Sequence, residues 1–138
     1  MYLVDTDVIS ELRKQDKANA GVTTFFRQAI KDDNALYISA ITVGELRRGV
    51  ELIQHRGDTS QAQLLDTWLA MILSDYHDNI LPLEADIAQV WGRLRVPHPE
   101  NALDKQIAAT ALVHDLTLVT RNGKHFAATG ARLLNPFD

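Results

Sequence analysis

Tyr2-Leu3-Val4-Asp5-Thr6-Asp7 opens the chain with a short apolar run that ends in an acid and leads into a helix-like stretch to about Lys14. The same unit recurs. Leu36 to Ser39, Ile80 to Leu83, Leu116 to Thr120 and the short Arg132 to Leu134 read as further strands. Pro82 within Ile80 to Leu83 predicts an edge position for that strand. Helical spacing of apolar residues fills the intervals: Val22, Phe25, Phe26, Ala29 and Ile30; then Leu46, Val50 and Ile53 after a cap at Ser39 or Thr42. Leu64, Leu65, Trp68, Leu69 and Ile72 mark a helix after the Gly57–Ser60 turn. Ile87, Val90, Trp91 and Leu94 mark one that ends before the Pro97-His98-Pro99 loop, and Leu103 to His114 a last one. Strands alternating with helices predict βαβ units, and so an open α/β sandwich with a parallel sheet and helices on both faces.

Ligands of such sheets sit in the crevice at the carboxyl ends of the strands. Asp5 ends the first strand, Glu45 lies near the start of the helix after the second, Asp104 begins the helix after the proline-rich loop, and Asn122 follows the Leu116–Thr120 strand by two residues. The pattern brings all four to one sheet edge. Asp104 shares a stripe with Ile107, Ala108 and Ala111, where a carboxylate is costly unless a cation meets it. Gly49, one turn after Glu45, leaves room for close approach. Taken singly, Asp5 and Asp104 also suit helix caps, and Glu45 suits a solvated acid paired with Arg48. Taken together, two carboxylates ~4 Å apart repel by about 4 kcal/mol at an effective dielectric of 20, so three require a proton or a cation. All-oxygen ligands favour Mg²⁺ or Mn²⁺, and such an ion suits hydrolysis of a phosphodiester.

Composition sets the outer bounds. The chain has 138 residues, one domain's worth over residues 1–138, with 46% hydrophobic and 23% charged residues, which excludes disorder. The absence of cysteine excludes disulfide scaffolds, thiolate metal sites and thiol nucleophiles. No apolar run approaches the ~18 residues of a membrane span, and the N-terminus lacks a basic region before an apolar one, so a cytoplasmic location is expected. Fourteen basic against eighteen acidic residues give a net charge of −4, which on its face speaks against a nucleic-acid partner.

Four segments then carry a resemblance. Leu3 to Leu12, Ser39 to Gly49, Leu103 to Leu112 and Leu118 to Asn122, with the closing Arg132-Leu133-Leu134-Asn135-Pro136-Phe137, resemble the PIN-domain family, most of all the VapC-type toxins of bacterial toxin–antitoxin pairs. The resemblance runs the length of the chain. It implies a three-layer α/β/α sandwich around a parallel sheet of four to five short strands. It also implies a Mg²⁺- or Mn²⁺-dependent endoribonuclease acting on structured RNA such as tRNA and leaving a 5′-phosphate and a 3′-hydroxyl. A homodimer and a VapB-type antitoxin partner are implied too, and no membrane. The family's three acids match Asp5, Glu45 and Asp104; Asp5 and Asp104 are then the direct metal ligands, with Glu45 completing the shell or holding a water.

Two positions depart from the family's pattern. A fourth acid is common where this chain has Asn122, with another at His125; many relatives carry Asn where this chain has Asp7. Asp7 is read as a helix cap rather than a replacement for the missing charge. Thr6, Arg47, Arg48, Thr120 and Asn122 are weak substrate-binding candidates, and Lys105, Arg121 and Lys124 lie near the same edge. The five histidines show no metal-ligand spacing; His125 alone sits near enough to touch substrate. The Leu46–Asp75 helix pair, with Trp68, Leu69 and Ile72, divides between core and either a dimer face or an antitoxin groove. Two alternatives remain at this point. One is a phosphatase of the haloacid-dehalogenase type, for which Asp5 and Asp7 fit the first motif but a later paired-acid loop is missing. The other is a PIN-like module that has lost catalysis and acts through protein binding.

Overall fold

In the computed structural model, which describes residues 1–138, β1 (Tyr2–Val4) is the central strand of a five-stranded sheet. β2 (Leu36–Ser39) and β4 (Thr117–Val119) flank it, and β3 (Ile80–Leu81) and β5 (Leu133–Leu134) form the edges. All four pairings are parallel, with Leu3 opposite both Tyr37 and Leu118. The chain builds outward from β1 through β2 to β3, then crosses to β4 on the other side. That reversal makes the β1–β4 boundary the switch point where such sheets open a crevice.

Helices supply every crossover. α1 (Thr6–Glu11), a tight 3₁₀ segment over Leu12–Lys17 and α2 (Ala20–Lys31) join β1 to β2. α3 (Ala40–His55) and α4 (Thr59–Asp75) lead to β3, α5 (Ala85–Leu94) and α6 (Ala102–Val113) to β4, and α7 (Gly123–Phe126) to β5.

Side-chain alternation along the strands divides the core into two layers. Val4, Ile38 and Val119 pack with Val8, Ile9, Val22, Phe26, Leu46, Val50, Leu69 and Ile72. Leu3 and Leu118 pack on the opposite face with Ile107, Ala108, Ala111, Leu116 and Phe126. This is the expected three-layer α/β/α sandwich. Each fully buried Val, Leu, Ile or Phe adds about 1.5–3 kcal/mol of transfer free energy, so the buried set across both layers holds the sheet.

Local departures from the expected pattern have physical reasons. β3 stops at Leu81 because Pro82 has no N–H for the ladder, though the edge position is as the proline predicts. The first helix ends at Glu11 rather than Lys14, and Gln15 takes a positive φ of 52° as the chain turns. Ser39, not Thr42, caps α3, its hydroxyl accepting from Ile41 N–H at 3.0 Å; Thr42 is buried one turn on. Ile30 and Leu64, which share the helical period of their neighbours, are exposed, because each lies at the border of its apolar stripe.

Candidate active site

Asp5 stands one residue beyond β1, not within it. Its extended backbone (φ −71°, ψ 160°) starts α1, and its Oδ1 accepts from Thr6 N–H at 2.8 Å, so the capping role falls to Asp5. The expected cap Asp7 lies instead in the first turn of α1, where its Oδ2 accepts from Arg121 N–H at 3.1 Å. The loop after β4 is thereby tied to the start of α1.

Asp5 is 4% exposed. Its Oδ2 accepts from Thr120 Oγ1 at 2.8 Å, and Thr120 Oγ1 in turn accepts from Asn122 N–H at 3.0 Å. Burial, then the charge of Asp7, pushes the Asp5 carboxyl up to about 7 against these hydrogen bonds, and Asp104 adds to the rise. Burial is also the main cause raising Asp7, opposed by the Arg121 and Val8 backbone and increased by Asp104. Asp5, Asp7 and Asp104 therefore share one field of negative charge.

Asp104 is the third residue of α6. Trp91 Nε1 of α5 donates to Ala102 O at 2.9 Å, and the buried Lys105 reaches the His98 carbonyl, which pin the start of α6 to α5 and to the proline-rich loop. The Asp104 side chain remains a quarter exposed, the sheet-facing positions of α6 being taken by Ile107, Ala108 and Ala111. Asp104 meets His125, whose Nδ1 lies 2.8 Å from its Oδ2. The sequence offered only one hint of this contact: His125 stands one turn beyond Asn122.

Glu45 lies in the second turn of α3, and Thr6 Oγ1 donates to its Oε1 at 2.7 Å while lying 3.2 Å from Thr42 Oγ1. No ion pair forms between Glu45 and Arg48. Arg47 pairs with Asp66 of α4 at 2.9 Å and so faces that helix. A cavity of about 320 Å³ opens beside Glu45 between α1, α3 and α4, lined among others by Thr6, Arg13, Gly49, Arg56 and Trp68. A side chain at Gly49 would meet nothing within 4 Å, in keeping with the open space expected there.

The expected convergence of Asp5, Glu45 and Asp104 on a single point is not found: no three His, Cys, Asp or Glu side chains stand close enough to hold one ion as they are arranged. The Thr6 hydroxyl holds Glu45, and His125 holds Asp104. In donor chemistry, though not in their present spacing, these acids suit a hard divalent cation. Asp5, Asp7 and Asp104 offer only oxygens, no Lys or Arg pairs with any of them, and Asp7 Oδ1 is buried without a partner. The Arg121 guanidinium is turned onto the Phe137 ring, 4.5 Å from its centroid.

The PIN domain family matches residues 2–131. The chain belongs to the PIN-domain family. This PIN-domain chain is 36% identical over 143 residues to the toxin FitB of Neisseria gonorrhoeae, covering 99% of each. It is 31% identical over 145 residues to the VapC ribonuclease Y4jK of Sinorhizobium fredii, covering 100% of this chain and 99% of that one. The crystal structure of FitAcB from Neisseria gonorrhoeae superposes with a TM-score of 0.84 at 35% identity over 99% of this chain and 98% of that chain. No helix of the PIN-domain chain is long and apolar enough to cross a membrane.

Proposed function

We propose that this chain is the ribonuclease toxin of a toxin–antitoxin pair, a Mg²⁺- or Mn²⁺-dependent endoribonuclease that hydrolyses structured RNA such as tRNA. The observation that carries the proposal is a nearly buried Asp5 at the sheet's switch point, in the field of Asp7 and Asp104 and without a Lys or Arg partner. Full-length similarity to a protein named VapC ribonuclease and to one named a toxin supports the reaction and the biological setting.

Asp5 and Asp104, with Glu45 nearby, are the residues that would hold the ion. When bound, a divalent cation supplies the positive charge that keeps these carboxylates ionised, lowers the pKa of a water and offsets the charge that develops on a phosphodiester. Thr120 and the Thr6 N–H fix Asp5 in one rotamer, so its carboxylate is already ordered. Glu45 remains an acceptor from Thr6 and can take a proton from an attacking water. Water oxygen then bonds to phosphorus, the P–O3′ bond breaks and the 3′ oxygen takes a proton, leaving 5′-phosphate and 3′-hydroxyl ends. Arg48, Lys124 and the side-chain amide of Asn122 lie on elements at this edge and suit the phosphates on either side.

The acidic balance of −4 fits this reading. RNA affinity depends on the ion, not on a broad basic surface, and an antitoxin with a basic segment is drawn to the same acids. The cavity between α1, α3 and α4, apolar at Trp68 and acidic at Glu45, suits such a segment. The active form is a homodimer.

The test is incubation of the protein with total RNA and Mn²⁺, with and without Asp5→Asn, followed by mapping of the cut ends. Discrete cuts with 5′-phosphate ends that vanish in Asp5→Asn are expected. Absence of cutting by the unmodified chain, with the antitoxin-bound complex still forming, would instead establish a binding module without catalysis.

A further inference from the structure

The cavity beside Glu45 carries more positive than negative charge. Glu45 is the one acid on its wall, against the exposed Arg13 and Arg56. Neither arginine is neutralised, since the Lys and Arg ion pairs of the chain are Lys14–Glu11, Arg47–Asp66 and Arg132–Asp115. Arg13 Nη1 donates to Ser10 Oγ at 2.6 Å, a bond that orders the guanidinium and leaves its remaining N–H donors for a ligand.

The rest of the wall is apolar or uncharged. Leu69 and Ile72 of α4 go into the core, whereas Trp68 is half-buried and lines the cavity with Leu65. A second hollow of about 300 Å³ adjoins it, shares Arg13, Gln61, Leu65 and Trp68, and adds Lys14. At the other end the wall includes Thr6, which directly follows Asp5 in the chain. The cavity therefore borders the proposed reacting edge. Its volume of about 320 Å³ stands at the lower end of the roughly 300–1,000 Å³ over which clefts bury small ligands. A duplex is too large for it, and a single unstacked nucleotide is not.

The chemistry is also that of a nucleotide. An indole offers a base something to stack on, the Gln61 amide and the Ser10 hydroxyl can meet a base edge, and unpaired guanidiniums suit phosphate. We propose that this cavity is a nucleotide subsite: a base splayed from the RNA strand beside the cut enters between α1, α3 and α4 against Trp68, with its phosphate held by Arg13 and Arg56. The assignment rests on the ribonuclease reading above and adds to it a source of base preference at the cut. It also gives the antitoxin a means of inhibition, because a segment drawn to Glu45 fills the space that the nucleotide needs.

The test has two readouts, both on the full chain. In the first, indole fluorescence is followed as AMP, GMP, CMP or UMP is added without metal. Quenching is expected, with affinity about tenfold weaker in Arg13→Gln and in Arg56→Gln, and with the response lost in Trp68→Leu. In the second, an RNA fragment spanning a mapped cut is cleaved with Mn²⁺. The arginine variants are expected to raise KM more than they lower kcat, and Trp68→Leu to relax the choice of base beside the cut. Arg13 and Arg56 are exposed, so their variants remain folded even where Trp68→Leu does not. No quenching by any nucleotide, with KM and flanking bases unchanged in the variants, overturns the subsite, makes the cavity a groove for the antitoxin alone and leaves the nuclease reading standing. No cleavage by the unmodified chain overturns the nuclease reading, and the quenching then decides the cavity's ligand by itself.

Discussion

Thr120 Oγ1 donates to Asp5 Oδ2 across 2.8 Å, linking the residue after β4 to the residue after β1 at the point where the sheet changes direction. The same hydroxyl oxygen accepts from Asn122 N–H, so one threonine orders both the buried acid and the loop beside it. Thr120→Val keeps the shape and removes both bonds. Each orphaned partner costs about 1–3 kcal/mol, so the midpoint of urea unfolding at pH 8 is expected to fall. An unchanged midpoint would mean that water replaces the hydroxyl. Mn²⁺ affinity should drop as well, because Asp5 gains rotamer freedom.

The pH dependence of stability follows from the same acid. The Asp5 carboxyl sits at about 7 when folded, against 3.8 ordinarily, so the folded state holds its proton more tightly. Its contribution to stability is complete below pH 3.8 and is lost as pH rises through about 7, since the slope takes its sign from the excess of bound protons in the native state. Metal-free wild type should therefore lose stability relative to Asp5→Asn between pH 4 and pH 8, measured as the difference in melting temperature across the range. Asp7 is raised in the same direction and adds to the slope. A difference that stays flat with pH would show that Asp5 is ionised throughout.

Glu45→Gln separates proton transfer from architecture. The glutamine carbonyl can accept from Thr6 Oγ1 as the carboxylate does, so the bond that anchors this part of α3 survives. Melting temperature in the absence of metal is expected to stay within ~2 °C of wild type. RNA cleavage is expected to fall by about a hundredfold or more, the ordinary contribution of a positioned acid–base group. A full-rate Glu45→Gln enzyme would remove Glu45 from the reaction.

The elements that sequence reasoning places well are those with an unambiguous period. The apolar runs at Tyr2–Val4, Leu36–Ser39 and Thr117–Val119 alternate between two cores, and Pro82 marks the edge strand because a missing N–H has one meaning in a parallel sheet. What the period does not carry is the pairing of polar atoms across the fold. Asp7 fits a helix cap by spacing, yet the cap is Asp5, because only Asp5 has the extended backbone a cap requires. His125 meets Asp104 from another element, and Thr6 takes Glu45 from Arg48; neither contact leaves a local trace, since 21 and 39 residues separate the partners. Linear order put the acids at one edge. Side-chain hydrogen bonds decided which of them share a field.

The C-terminal tail gives the last prediction. Asp138 N–H donates to Asn19 Oδ1 at 3.1 Å, the same oxygen that caps α2 through Gly21 N–H and Val22 N–H. Gly21 lies beneath this tail, and a Cβ there would run into the Pro136 carbonyl oxygen and the Asp138 carboxylate. A backbone carbonyl cannot rotate aside as a flexible side chain can, so Gly21→Ala must displace residues 136–138. Overpacking of this kind costs about 1–3 kcal/mol, although alanine is otherwise the better helix former. The ring of Phe137 would move with the tail and release the Arg121 guanidinium stacked on it, toward the loop whose N–H holds Asp7. Gly21→Ala is thus expected to unfold at lower urea than wild type and also to weaken Mn²⁺ binding, although position 21 lies outside the site. A truncation ending at Asn135 should make the same Gly21→Ala change neutral or stabilising. Equal destabilisation in the full and truncated chains would show that the clash lies elsewhere.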